Sequence, residues 1–125
     1  MQWKLIVRGD GSAIRDYFYV KDFALIIKEF IDRGIKNEVI NIGSGQGVSI
    51  NQILEIIKGI NNTIDIDYIA ALDSDVPQIV LDITKLNSLI KFDFCGLDEG
   101  ILTTYKHLLL ENGWCFRNQI HWQVV

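Results

Sequence analysis

Residues 39–59 read VINIGSGQGVSINQILEIIKG, and this stretch decides the fold class. Residues 39–42 are a short, mostly apolar run, of the kind that forms a strand buried on both faces. The glycine-rich residues 43–47 predict a loop, and Ser49 with Gln52 three residues later predicts a capping box at the start of a helix. Apolar side chains then recur at helical spacing. A strand followed directly by a loop and a helix predicts an α/β domain.

Short strands and helices also alternate in the rest of the chain. Strand patterns occur at residues 4–8 and 64–68, and the apolar residues behind Asp22 and Asp98 repeat at helical spacing. Both aspartates are typical N-cap residues, so we expect each side chain to cap the helix that follows it. The predicted fold class is therefore mixed α/β (α+β), a small domain in which short strands alternate with helices.

The end of the chain is rich in large apolar side chains. Residues 114–125 include Trp114, Phe116, Ile120 and Trp122. An exposed apolar surface of this size is unfavourable in water, so we expect this tail to pack on the body of the domain or on a partner. The predicted organisation is one domain over residues 1–113, followed by the tail at 114–125.

Composition argues against several classes of protein. With 49% hydrophobic and 22% charged residues over 125 positions, the chain can bury a core and is not expected to be disordered. The net charge of −4 argues against nucleic-acid binding, which needs a basic face. No apolar run approaches the ~20 residues that span a bilayer, so no membrane association is expected. Cys95 and Cys115 predict reduced thiols in a cytoplasmic protein, and His107 and His121 do not have the ligand spacing of a metal site.

Two polar positions are candidates for ligand binding. Arg15 lies beside the turn at Gly11, and a guanidinium in such a place can fork onto a phosphate. A salt bridge to Asp16 or to another acid is the alternative, which spacing alone favours. Asp73 and Asp75 could do acid–base work or accept hydrogen bonds from sugar hydroxyls. A polar loop with solvated aspartates is the commoner case for such a pair.

The loop at residues 43–47 partly matches a dinucleotide-binding fingerprint. That fingerprint, Gly-x-Gly-x-x-Gly, opens directly into a helix because the pyrophosphate sits on the helix N-terminus. Gly43 and Gly45 fit the pattern, but the third position is Val48, and Gly47 falls one residue early. A structural turn is therefore favoured over a nucleotide site at this loop.

Four motifs occur in order along the chain. They are residues 9–12 with 15–22, residues 39–45 with 48–50, residues 75–77 with 82–85, and residues 97–101. Together they resemble the extended short-chain dehydrogenases, the family of NAD-dependent nucleotide-sugar epimerases and dehydratases. The match covers about residues 4–112, and the resemblance implies the fold of that family's C-terminal, substrate-binding lobe.

The resemblance also implies three substrate-binding residues. The arginine matched by Arg15 contacts the substrate diphosphate, the asparagine matched by Asn41 lies near the nucleotide in some members, and the aspartate matched by Asp75 helps to hold the ribose. Two departures stand out, because Leu72 occupies a position where members often carry an arginine and Ser74 replaces a glycine. A lost charge-assisted contact would weaken diphosphate binding by ~1.5–3 kcal/mol.

In this family the NAD loop and the catalytic tyrosine and lysine precede the matched region. The resemblance thus implies NAD in the complete enzyme, none bound by this chain, and no catalytic residue within it. We expect the nucleotide-sugar-binding part of a 4-epimerase or 4,6-dehydratase, which binds a nucleoside-diphosphate sugar weakly and does not catalyse the reaction alone. The alternative is a non-catalytic interaction module, which forms a homodimer or pairs with a separate cofactor-binding chain through surface that the missing domain normally covers.

Overall fold

A computed structural model of the protein describes residues 3–110 and 123–124. Its strands are β1 (Trp3–Arg8), β2 (Ile14–Arg15), β3 (Val48–Ser49), β4 (Ile64–Ile69), β5 (Gln78–Ile79) and β6 (Gln123–Val124). Its helices are α1 (Val20–Asp32), α2 (Ile50–Ile60), α3 (Thr84–Leu89) and α4 (Leu97–Leu110). The predicted mixed α/β class is confirmed. Across the described residues, none of these helices combines the length and the apolar run that crossing a membrane requires.

The first sheet has the strand order β4-β1-β6, and both neighbours run parallel to β1. Parallel pairing of β1 with β4 needs a long crossover, which here includes α2. The face of the sheet toward α2 carries Val7, which is fully buried against Ile50 and Leu54 of that helix. Leu5 and Ile66 pack at the same cluster, in keeping with the period of two along a strand.

The second sheet has the order β3-β2-β5 and positions the candidate arginine. Strand β2 runs antiparallel to β3 and parallel to β5, so Arg15 pairs with Val48 on one side and with Ile79 on the other. The backbone N–H of Ile14 also donates to the carbonyl of Pro77 at 2.9 Å. These contacts join segments that lie far apart in the sequence.

A second core lies between α1 and α3. Its buried members are Ile26 of α1 and Leu86 of α3, together with Ile90 directly after α3. Partly buried side chains complete the cluster: Phe30, Ile35, Ile40, Ile42, Ile83, Leu89, Phe92 and Phe94. This core holds the segment that precedes the glycine-rich loop.

The prediction of a strand at residues 39–42 is wrong. Ile40 and Ile42 do pack into the second core, but Val39 is 89% exposed, and no described strand pairs with this segment. Side-chain hydrogen bonds hold this segment instead of backbone hydrogen bonds to a neighbouring strand. The Lys85 ammonium donates to the Val39 carbonyl at 2.8 Å, and the Asn41 amide donates to the Asp82 carbonyl at 3.2 Å. An apolar pattern makes burial favourable, but a strand also needs a hydrogen-bonding neighbour.

The predicted N-cap roles of Asp22 and Asp98 are also wrong, and α4 begins at Leu97, so Asp98 lies within its first turn. Helix α1 begins at Val20 with Tyr19 as its N-cap, so Asp22 lies within the first turn. Its carboxylate is 6% exposed and accepts a hydrogen bond from the backbone N–H of Cys95 at 2.8 Å. A contact 73 residues away thus replaces the local cap, and the negative charge still lies near the helix N-terminus, where it is favourable.

The predicted capping box at the start of α2 is confirmed. Ser49 Oγ accepts from the N–H of Gln52 at 3.2 Å, and Gln52 Oε1 accepts from the N–H of Ser49 at 2.9 Å. We expect Ser49→Ala to lower the free energy of unfolding by ~1 kcal/mol, because the backbone N–H of Gln52 loses the hydroxyl oxygen that caps it. Urea denaturation followed by circular dichroism would measure it. Ser88→Ala is the control, since that hydroxyl only donates to the Lys85 carbonyl on α3. An equal loss in the two variants would contradict the cap.

The predicted tail, residues 114–125, lies outside the described residues except for Gln123 and Val124. These two residues pair with Ile6 and Val7 at the edge of β1.

Candidate functional site

Arg15 is half-buried in the middle strand of the second sheet. Within residues 3–110, its guanidinium donates one hydrogen bond, from Nη1 to the carbonyl of Ile14 at 2.8 Å. It forms no ion pair with any residue in the described ranges, so the alternative of a salt bridge to Asp16 is wrong. A guanidinium has five N–H donors and a permanent charge. Arg15 therefore keeps most of its capacity to bind an anion.

The carboxylate of Asp16 forms its hydrogen bonds with two other segments and not with Arg15. Oδ1 accepts from the backbone N–H of Ser44 at 2.9 Å and from the Ser44 hydroxyl at 2.5 Å. Oδ2 accepts from the N–H of Gly45 at 2.9 Å and from that of Leu81 at 3.3 Å. Partial burial works to raise the pKa of Asp16, but these hydrogen bonds outweigh it and hold that pKa below its usual range. The sequence patterns gave no sign of this role, because all of these partners are distant along the chain.

Asp75 closes the turn that leads to β5. Its carboxylate accepts from the N–H of Leu72 at 2.8 Å, and its own N–H donates to the Leu72 carbonyl at 3.0 Å. Pro77, two residues later, accepts from Ile14 beside Arg15. The structure thus places the turn of Asp75 next to the strand of Arg15. Asp73 is exposed, as expected for a solvated loop aspartate.

Asn41 lines a polar cleft of about 500 Å³ between the 39–42 segment and α3. Its amide is engaged with the Asp82 carbonyl, and the nearby Lys85 forms an ion pair with Glu38 at 2.8 Å. The Asn41 side chain therefore has a structural partner in this chain, and its contact with a nucleotide stays a prediction.

Comparison with known proteins points to one family. The family model described as "NAD dependent epimerase/dehydratase family" matches residues 2–43. A candidate UDP-glucose 4-epimerase from Methanocaldococcus jannaschii is 37% identical over 97 residues, which are 77% of this chain and 31% of that protein. The GDP-6-deoxy-D-talose 4-dehydrogenase of Aggregatibacter actinomycetemcomitans is 32% identical over 113 residues, covering 86% of this chain and 38% of the relative.

A solved structure gives the same result. The UDP-glucose 4-epimerase of Thermotoga maritima, solved with UDP-glucose, superposes with a TM-score of 0.75 at 29% identity. The match covers 88% of this chain and 36% of that structure. The chain belongs to the NAD-dependent epimerase/dehydratase family. It spans about a third of the length of the curated relatives that it matches.

Membership in the epimerase/dehydratase family raises the question of whether the glycine-rich loop could hold NAD. The N–H groups of Ser44 and Gly45 already donate to Asp16, and the N–H of Gln46 donates to Ser44 Oγ at 3.1 Å. A Cβ on Gly43 would lie 2.7 Å from Asp16 Oδ2. The missing side chain makes room for a carboxylate of the same chain, and the donors that would bind a pyrophosphate are used. The loop does not fit the cofactor.

Tyr17 and Lys21 have the Tyr-x-x-x-Lys spacing of the family's catalytic pair, the one such spacing in this sequence. The structure does not make them that pair. Tyr17 lies before α1 while Lys21 lies in its first turn, so the two residues do not share a helix face. Burial raises the pKa of Tyr17, and nearby Arg15 opposes this only in part. A catalytic tyrosine needs a lowered pKa, so the prediction of no catalytic residue is unchanged by this spacing.

An apolar groove of about 450 Å³ was not predicted from the sequence. It lies between α2, α4 and the extended residues before α1, and Gly100 of α4 is buried where a Cβ would contact Tyr19 at 3.3 Å. Ile53, Ile57, Ile101, Tyr105 and Leu108 are among its lining residues. Each helix pattern predicted an apolar face, but not that the two faces would leave a groove between them.

Proposed function

We propose that residues 1–113 form the nucleotide-sugar-binding lobe of an NAD-dependent nucleotide-sugar 4-epimerase or 4,6-dehydratase. The observation that carries the proposal is the state of Arg15, a half-buried guanidinium without an ion-pair partner among the described residues. A partly buried cation without a counter-ion is unfavourable, and a substrate diphosphate would supply the missing charge.

Asp75 and Asn41 complete the proposed site. Asp75 Oδ2 is used by the turn to Leu72, and we propose that the carboxylate also accepts a hydrogen bond from the nucleotide ribose. We propose that the Asn41 amide gives up its hydrogen bond to the Asp82 carbonyl and bonds to the nucleotide instead. Leu72, an exposed apolar residue, cannot supply a charged contact, so we expect weak affinity for the diphosphate.

We propose that hydride transfer depends on residues other than 3–110 and 123–124 of this chain. The glycine-rich loop does not fit NAD, and Tyr17 with Lys21 is not a catalytic pair. This chain would bind and orient the nucleotide sugar, while a cofactor-binding domain would supply NAD and the catalytic base. Residues 1–125 alone are then inactive. The proposed compartment is the cytoplasm, where a thiol such as that of Cys95 stays reduced.

Calorimetric titration of the full 125-residue chain with UDP, dTDP, GDP and CDP tests the proposed binding. We expect heat of binding with at least one diphosphate and none with the matching nucleosides, since the phosphates provide the charge that Arg15 binds. The four ligands also identify the preferred base. Absence of heat with all four diphosphates would contradict the proposed function, although it would leave family membership intact.

A second candidate function is that of an interaction module. Val20 of α1 is 71% exposed and borders the apolar groove, and Val39 is 89% exposed. Exposed apolar surface that is contiguous with a groove marks an interaction site. These side chains and the apolar groove would be covered by a cofactor-binding chain or by a second copy. The tail at residues 114–125 is proposed to pack on this body or on that partner. Light scattering tests whether the partner is a second copy of this chain, because a clean monomer at high protein concentration would argue against self-association.

A further inference from the structure

Asp16 connects three segments that are remote in the sequence. It adjoins Arg15 in β2, and its carboxylate binds Ser44 and Gly45, which are 28 and 29 residues away, and Leu81, which is 65 residues away. All four hydrogen bonds are accepted by one side chain. A carboxylate can do this because its two oxygens offer about four lone-pair sites.

Each connected segment carries or adjoins a proposed binding residue. Arg15 directly precedes Asp16, and Asn41 lies three residues before Ser44. The Asn41 amide also bonds to the carbonyl of Asp82, the residue after Leu81. The turn of Asp75 is joined to the same strand through Pro77 and Ile14.

We propose that Asp16 is a positioning residue that holds the segments of Arg15, Asn41 and Asp75 in one arrangement for the nucleotide diphosphate. This inference rests on the proposed function. Asp16 acts in two ways. It fixes the relative placement of the three segments, and its oxygens are committed to N–H and O–H donors, so they do not neutralise the neighbouring guanidinium. The charge of Arg15 stays available for a phosphate.

The surroundings of Asp16 match the ionised form. An amide in its place would keep one acceptor oxygen and direct an NH2 group at the N–H groups of the loop. The lowered pKa of Asp16 has the same origin, since donors that converge on a carboxylate favour its charge. Gly43 leaves space beside Oδ2 that any side chain would fill.

The test is a double-mutant cycle on the full chain, with UDP and GDP as the probes. Asp16→Asn should weaken binding of the better probe roughly tenfold, because coupled neighbours typically interact at this level. In an Arg15→Ala background the same change should weaken binding clearly less than in the unmodified chain, since Arg15 is one of the binding residues that Asp16 positions. A residue that only stabilised the fold would not show this dependence. Asp10→Asn is the matched control, because Asp10 also accepts from a serine N–H and hydroxyl, but only from Ser12, two residues away.

Hydrogen exchange of the backbone amides gives a second measurement that needs no ligand. The amides of Ser44, Gly45 and Leu81 should be protected in the unmodified chain and lose protection together in Asp16→Asn. Should that variant fail to fold, Ser44→Ala removes one hydrogen bond to Asp16 and should give a smaller loss of affinity in the same direction.

The outcomes separate this inference from the proposed function. Unprotected amides in the unmodified chain, or UDP and GDP affinities that Asp16→Asn and Ser44→Ala leave unchanged, would overturn the role of Asp16. If the unmodified chain binds none of UDP, dTDP, GDP and CDP, diphosphate binding by this chain fails, and the exchange data alone decide whether Asp16 holds the segments together.

Discussion

Replacement of Ile26 by alanine is expected to lower the free energy of unfolding by about 2–5 kcal/mol. Ile26 is fully buried on α1, where it packs with Leu86 and Ile90. Removing three carbons from this position loses the hydrophobic transfer energy and leaves a cavity that the packed neighbours fill only in part. Because this core also holds Ile40 and Ile42 ahead of the glycine-rich loop, the loss should reach the segment that carries Asn41.

Ile31→Ala provides the matched control on the same helix. Ile31 is 72% exposed, so the same truncation should change the free energy of unfolding by no more than ~0.5 kcal/mol. Urea denaturation of the full chain, followed by circular dichroism, measures both values with one assay. Equal losses for the two variants would contradict the orientation of α1 described above.

Replacement of Arg15 by alanine is expected to weaken diphosphate binding by about 10–150-fold, the equivalent of a charge-assisted hydrogen bond of ~1.5–3 kcal/mol. The guanidinium has no ion-pair partner in the described ranges, so its removal leaves no carboxylate unpaired there. The free energy of unfolding should change little in comparison. Arg15→Lys keeps the charge but loses the planar fork, and should recover only part of the affinity.

Calorimetric titration with UDP and GDP, at one salt concentration, measures how far Arg15→Ala and Arg15→Lys lower the affinity. Arg33→Ala is the control, because Arg33 is an exposed arginine at the C-cap of α1 that pairs with Glu29 at 2.6 Å. Its loss should leave affinity unchanged while removing the same formal charge. If Arg33→Ala weakened binding as much as Arg15→Ala, general electrostatics would explain the affinity and the specific role of Arg15 would be wrong.

Local sequence patterns determined the helices and the family. Ser49 and Gln52 are three residues apart, and residues at this spacing lie side by side wherever a helix starts. The capping box of α2 therefore needs no tertiary contact. The alternation of residues 64–68 likewise predicted the half-buried strand β4, and the apolar spacing behind Asp22 predicted α1. The four ordered motifs pointed to the epimerase/dehydratase family because each of them is a short, contiguous pattern.

Tertiary structure decided which partner each polar group takes. Asp22 has the residue type of a cap but binds the N–H of Cys95, and residues 39–42 have the pattern of a strand but pack without one. Asp16 is adjacent to Arg15 in sequence, yet its carboxylate bonds to Ser44, Gly45 and Leu81. A helix pattern depends on residues three and four positions apart, whereas these hydrogen bonds depend on where folding brings groups that are 28 to 73 residues distant. The sequence by itself therefore identified Arg15 as a candidate for binding a phosphate. Only the tertiary structure decided that no carboxylate among the described residues pairs with its charge.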